Sequence, residues 1–205
     1  MRILLAIAAA IAIIAGVAVQ QLWPKAEPKA LVYDPARAIP EFSLESTAAT
    51  SVGTEALVGQ WTLLFTGYTY CPDICPTTMA DLRRIMPTLS ASTDVPVKVW
   101  MISVDPPRDD IERLTQYTGF FGPEFVGVRG EHPQLYPFVT NLGLMYSVPD
   151  EGATDYLVNH SAAIILVNPA GHLQAIFKAE HVPGKIPTVN MDQLAADFAL
   201  IADAY

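Results

Sequence analysis

The chain has 205 residues, 51% hydrophobic and 16% charged, against about 25% charged in an average globular domain, which excludes intrinsic disorder. With 12 basic and 21 acidic side chains the formal charge is -9, a balance that repels the phosphates nucleic-acid binding must neutralise, so nucleic acid is excluded as a partner. Two cysteines cannot build a multi-disulfide scaffold, and the length fits one domain with an appendage.

That appendage is at the start. Behind Arg2, the run Ile3 to Val19 carries no charge, and about seventeen apolar residues lie at the lower limit for spanning a bilayer. Gly16-Val17-Ala18 has the small residues of a cleavage site, but Leu22 and the interfacial Trp23 extend the apolar character. Residues 1–23 are therefore read as a membrane anchor, an uncleaved signal, with Arg2 on the cytoplasmic side and the rest exported. Residues 24–40 hold Pro24, Pro28, Pro35 and Pro40 and read as a stiff extended spacer. Residues 41–205 form the folded domain.

Within the domain, Trp61 to Phe65 is the first buried strand. It breaks at Gly67 and leads to a helix from Pro76 to about Met86, where Pro87 marks the end. Val97 to Val104 is a second strand, closed by Asp105-Pro106-Pro107. A helix from about Asp109 to Tyr117, a strand at Phe125 to Val128 and a helix at His132 to Leu142 follow. Ser161 to Val167 and His172 to Phe177 flank the turn Asn168-Pro169-Ala170-Gly171. A last helix, about Met191 to Asp203, is capped by Asn190. This order of strands and helices predicts an α/β, thioredoxin-like domain preceded by an N-terminal transmembrane helix.

Chemistry concentrates in Tyr68-Thr69-Tyr70-Cys71-Pro72-Asp73-Ile74-Cys75-Pro76. Both cysteines lie where a buried strand hands over to a helix, whose N-terminal N–H groups and partial positive charge favour the thiolate. A spacing of four brings the sulfurs close enough to bond to each other or to share a metal ion. A structural disulfide is the plain alternative, though so short a loop gains little from closure. Dithiol oxidoreductases of the thioredoxin type separate their cysteines by two residues, and here there are three. Such enzymes also place a proline just before the hairpin strand, where this chain reads Asn159-His160-Ser161. Two thiolates and the His160 imidazole make a soft, three-donor set suited to copper, with an open position. His132, His172 and His181 carry no such placement. Asp105 ends the second strand at the carboxyl edge where α/β sites collect, as a turn or capping carboxylate or as a site residue.

These residues resemble the Sco/SenC proteins, which help assemble cytochrome c oxidase. The resemblance is carried by Phe42-Ser43-Leu44, Gly59 to Phe65, Gly67-Tyr68, Cys71-Pro72-Asp73-Ile74-Cys75-Pro76-Thr77-Thr78, Ser103-Val104-Asp105-Pro106 and Asn159-His160-Ser161-Ala162-Ala163. It implies copper, Cu(I) or Cu(II), held by Cys71, Cys75 and His160, with Asp105 near the site. The implied target is the dinuclear copper centre of oxidase subunit II, and a further periplasmic copper chaperone or thiol reductase is a possible partner. The implied protein is a metallochaperone on the bacterial inner membrane, anchored by one helix with its domain facing the periplasm. The competing reading is a thiol-disulfide reductase, in which Cys71 and Cys75 are a redox-active pair keeping the target's cysteines reduced. Asn159 stands where the family usually has Asp, and Pro107 interrupts its Asp-Pro-Glu-Arg turn.

Overall fold

The computed structural model describes residues 26–150, 152, 155–184 and 186–205. The expected anchor, residues 1–23, lies outside them, and among the described residues no helix is long and apolar enough to cross a membrane. Seven strands, β1 Leu31–Ala38, β2 Glu45–Ser46, β3 Trp61–Gly67, β4 Val97–Ser103, β5 Phe125–Arg129, β6 Ile164–Val167 and β7 His172–Phe177, form one sheet in the order β1-β7-β6-β3-β4-β5-β2. The helices are α1 Ile74–Ala91, α2 Ile111–Gly119, α3 His132–Asn141 and α4 Met191–Ala204.

The central strands β3 and β4 are buried at every position but Lys98 because both of their faces are covered. β3 and β4 pair in parallel from Trp61 opposite Val97 to Gly67 opposite Ser103, and β5 continues the parallel set. The pleat sends Trp61, Leu63 and Phe65 to one face, where they pack with Met79, Leu82 and Leu89 of α1 and Leu194 and Phe198 of α4. Leu64, Trp100 and Ile102 point to the other face, against Leu135, Phe138 and Val139 of α3. β6 runs antiparallel to β3, with Thr62 opposite Val167 and Leu64 opposite Ile165. The residues just before β6 therefore lie beside the carboxyl end of β3, where α1 begins.

Two sequence readings are corrected. Pro87 does not end the first helix, which continues to Ala91. A proline costs a helix one N–H bond, but Leu89 beyond it is fully buried, and that packing holds the last turn in place. The stretch read as a spacer contributes a strand: Leu31–Ala38 pairs antiparallel with β7, with a register shift between Val32 and Arg37. Its sequence shows no buried run because an edge strand is mostly exposed, and an edge tolerates proline. Asn190 does cap α4, its side chain accepting from the Gln193 N–H at 3.1 Å.

The segment ahead of β1 is also tied in, since the buried Asp197 carboxylate accepts from the N–H groups of Lys29 and Ala30 at 3.0 and 2.8 Å. Removing residues 1–38 strips β7 of its outer neighbour, β1, and leaves Asp197 underpaired. Urea denaturation of the truncated domain should show stability lowered by about 2–5 kcal/mol, whereas a mere spacer could be removed without effect.

Candidate metal centre

Cys71 ends the turn that leaves β3, its N–H bonded to the Tyr68 carbonyl at 3.2 Å, and Cys75 sits in the first turn of α1. Both are free thiols and both are buried, at 8% and 1% exposure. The Cys75 N–H, one of the otherwise unpaired donors of the helix start, points at Cys71 Sγ at 3.4 Å. Gly67 leaves room beside the Cys75 sulfur. A Cβ there would meet Cys75 Sγ and Met101 Cγ at 3.3 Å each.

His160 enters from the other side on the strand-like segment before β6, where it bridges Tyr146 antiparallel. Its Nε2 stands 3.7 Å from Cys75 Sγ. Its Nδ1 lies 3.0 Å from the Ser161 carbonyl and 3.3 Å from Thr66 Oγ1. A carbonyl can only accept, so Nδ1 carries a proton, which leaves Nε2, on the sulfur side, as the nitrogen able to ligate an ion. The Tyr68 ring stands edge-on to the imidazole at 5.9 Å.

One donor atom from each of Cys71, Cys75 and His160 lies within 4.8 Å of the other two. With metal–donor bonds of about 2.0–2.3 Å, the donors of a trigonal site stand roughly 4 Å apart, so a small contraction accommodates an ion. The two thiols are unequal. Hydrogen bonding from the Cys75 thiol, then from His160 and the N–H groups of Asp73 and Cys75, outweighs burial and holds Cys71 down at about 4. The thiol hydrogen bond to Cys71, followed by burial, pushes Cys75 up. The metal-free pair thus shares one proton, kept on Cys75.

Asp105 is not a fourth donor. It is fully buried, 2.5 Å from Arg108 Nε and 2.6 Å from the hydroxyl of Tyr156, which donates to it. Arg108 also donates to the Tyr156 carbonyl at 3.1 Å and lies over the Tyr156 ring, 3.7 Å from its centroid. The Tyr68 hydroxyl accepts from the Val158 N–H at 3.3 Å. Together these contacts clasp the segment carrying His160 to the loop after β4 and to the turn carrying Cys71.

Residues that the sequence reading passed over complete the support. Asp109, expected to open a helix, is instead fully buried ahead of α2. It accepts from the Thr69 N–H, the Thr69 hydroxyl and the Ser103 hydroxyl at 3.0, 2.6 and 2.6 Å. Burial raises its pKa against those bonds. The helix is capped one residue later by Asp110, which accepts from the Arg113 N–H at 2.7 Å. A carboxylate four residues after Asp105 was a visible signal for Asp109. Tyr156 had none, because its partners Asp105 and Arg108 lie 51 and 48 positions away.

Residues 32–191 match the SCO1/SenC family. A Stutzerimonas stutzeri protein named for copper binding is 36% identical over 157 residues, 75% of this chain and 77% of its own length. The mitochondrial SCO2 homolog of Mus musculus is 40% identical over 115 residues, 55% of this chain but only 45% of that protein. The crystal structure of Arabidopsis thaliana ScoI with copper bound superposes with a TM-score of 0.71 at 28% identity, covering 82% of this chain and 100% of that one.

Two outcomes follow from the geometry. In the reduced, metal-free protein, alkylation of Cys71 by iodoacetamide should stay nearly constant from pH 8 to about pH 5 and fall only toward about 4, because the thiolate is the reactive form. An ordinary thiol loses about tenfold per pH unit over that range. Arg108→Ala should cost about 3 kcal/mol in urea denaturation, since it leaves buried Asp105 without its cation, and Arg108→Lys should recover part of the loss.

Proposed function

We propose, from the premise that this chain belongs to the SCO1/SenC family, that it is a copper-binding metallochaperone for cytochrome c oxidase, loading the dinuclear copper centre of subunit II. The observation that carries the reading is the convergence of two thiol sulfurs and one imidazole nitrogen on one buried edge, all within 4.8 Å. Thiolate sulfur selects soft ions, imidazole suits copper in either oxidation state, and a three-donor set leaves a position open. Structural zinc normally takes four protein ligands. The copper-bound Arabidopsis relative of matching fold supports copper as the ion.

In this reading Cys71 and Cys75 supply the thiolates, and His160 the third donor, held in the right tautomer by the Ser161 carbonyl and Thr66. Copper binding displaces the proton that the metal-free pair keeps on Cys75. An open position lets an incoming donor bind before an outgoing one leaves, so the ion passes by ligand exchange with no change in its electron count. Asp105 acts at a distance, through the clasp.

A second reading is favoured by the depressed Cys71 thiol: a reductase of the target's disulfide. Cys71 thiolate would attack a target sulfur, expelling the other as thiolate, and Cys75 would then displace the first, leaving a Cys71–Cys75 disulfide and two reduced target cysteines. The spacing of the pair and the presence of His160 weigh toward copper.

The proposal extends to location. Residues 1–23 anchor the protein in the bacterial inner membrane, with the domain in the periplasm, where oxidase copper domains and any further copper chaperone or thiol reductase would meet it. Tethering raises the effective concentration of a weak partner. The apolar run behind Arg2 supports this reading.

Anaerobic titration of the reduced protein against a copper chelator should give one copper per chain. Cys71→Ser, Cys75→Ser and His160→Ala should each weaken binding by about tenfold or more, and oxidising the thiols should abolish it. His160→Ala should impair copper delivery yet retain disulfide exchange. Equal loss of exchange together with full copper binding in that variant would replace the chaperone reading with the reductase.

A further inference from the structure

The Cys75 sulfur is nearly closed off, at 1% exposure. The crevice beside it, lined by Phe65, Ile74, Cys75, Thr78, His160 and Ala162 among others, holds only about 10 Å³, room for about one water. It is too small to admit a partner's side chain. The same His160, with Ile74, Ser161 and Ala162, also forms one wall of a groove of about 700 Å³. That is the size of a ligand-binding cleft and admits a short peptide segment.

The groove has a chemical character of its own. Met145 and Ile186 on its rim are 71% and 54% exposed, and Val158, Ala163 and Pro187 continue the apolar lining. Its charged and titratable members are Lys178, His181 and His160, and no Asp or Glu of the described residues lines it. In a chain with 21 acidic and 12 basic side chains, this lining runs against the overall charge. An exposed apolar strip with a cation beside it matches an acidic, partly apolar partner.

We propose that the copper acceptor docks in this groove, laying into it an extended segment that offers a carboxylate to Lys178 and an apolar side chain to Met145 and Ile186. The inference rests on the chaperone reading and gives it a direction. The acceptor's first donor meets the metal from the His160 side, so the bond to His160 Nε2 breaks before those to the two sulfurs. Copper keeps its oxidation state, and each bond lost to this chain is replaced by one to the acceptor.

The test uses the full-length chain in mild detergent, loaded with one copper, and the apo, reduced copper domain of oxidase subunit II as acceptor, with transfer followed by stopped-flow absorbance. Lys178→Glu should slow transfer about tenfold at low salt, with the difference shrinking as ionic strength rises. Ile186→Glu should slow it at all salt concentrations. Neither residue is a metal donor, so copper affinity and stoichiometry should match the parent protein in both variants. Transfer from the parent with unchanged rates in both variants overturns the groove alone. Absence of transfer from the parent overturns the chaperone reading and the groove with it. A dimer of this chain that Ile186→Glu dissociates would assign the groove to a second copy and also overturn the proposal.

Discussion

Antiparallel pairing of β6 with β3 is the constraint on which the site depends. β3 ends at Gly67, and the chain turns through Cys71 into α1. An antiparallel neighbour must begin where β3 ends, so the residues leading into β6 are delivered to the same edge. His160 and Cys75, 85 positions apart, thereby meet at 3.7 Å. A parallel neighbour would have placed the imidazole at the opposite end of the sheet. The helix start contributes the rest, because its unpaired N–H groups stabilise the Cys71 thiolate where the imidazole arrives.

Around that edge the protein fixes the donors through groups that do not touch the metal. Gly67 clears space for the Cys75 sulfur. Asp109 gathers Thr69 and Ser103 and so pins the turn before Cys71 to the end of β4. Arg108, Asp105 and Tyr156 hold the approach to His160. Each buried carboxylate would be costly alone and is matched by several donors. The result is a site arranged before copper arrives, in which His160 and neither cysteine lines the groove.

The sequence was most legible where periodicity and chemistry coincide. The buried runs of β3 and β4, the hairpin turn after Val167 and the Asn190 cap all carry local signals, and the structure places strands, turn and cap there. Cys71, Cys75 and His160 were visible as an unusual donor set for a thioredoxin-like order of elements, and they do converge. Less legible were features decided by tertiary contact. Leu31–Ala38 pairs as an edge strand despite Pro35, and α1 continues through Pro87 because Leu89 beyond it is buried. Asp105 could be read as near the site, but its partner Tyr156 lies 51 positions away, and no local pattern announces that bond.

The central claim is that one copper is held by two sulfurs from the helix start and one imidazole from the strand that returns beside it. X-ray absorption at the copper edge, recorded on the reduced protein loaded with one equivalent, tests it directly. The account predicts two sulfur neighbours at about 2.2–2.3 Å and one nitrogen neighbour at about 2.0 Å with the outer-shell scattering of an imidazole, the nitrogen being lost in His160→Ala. A copper environment without sulfur, or one whose imidazole scattering persists in that variant, would contradict it.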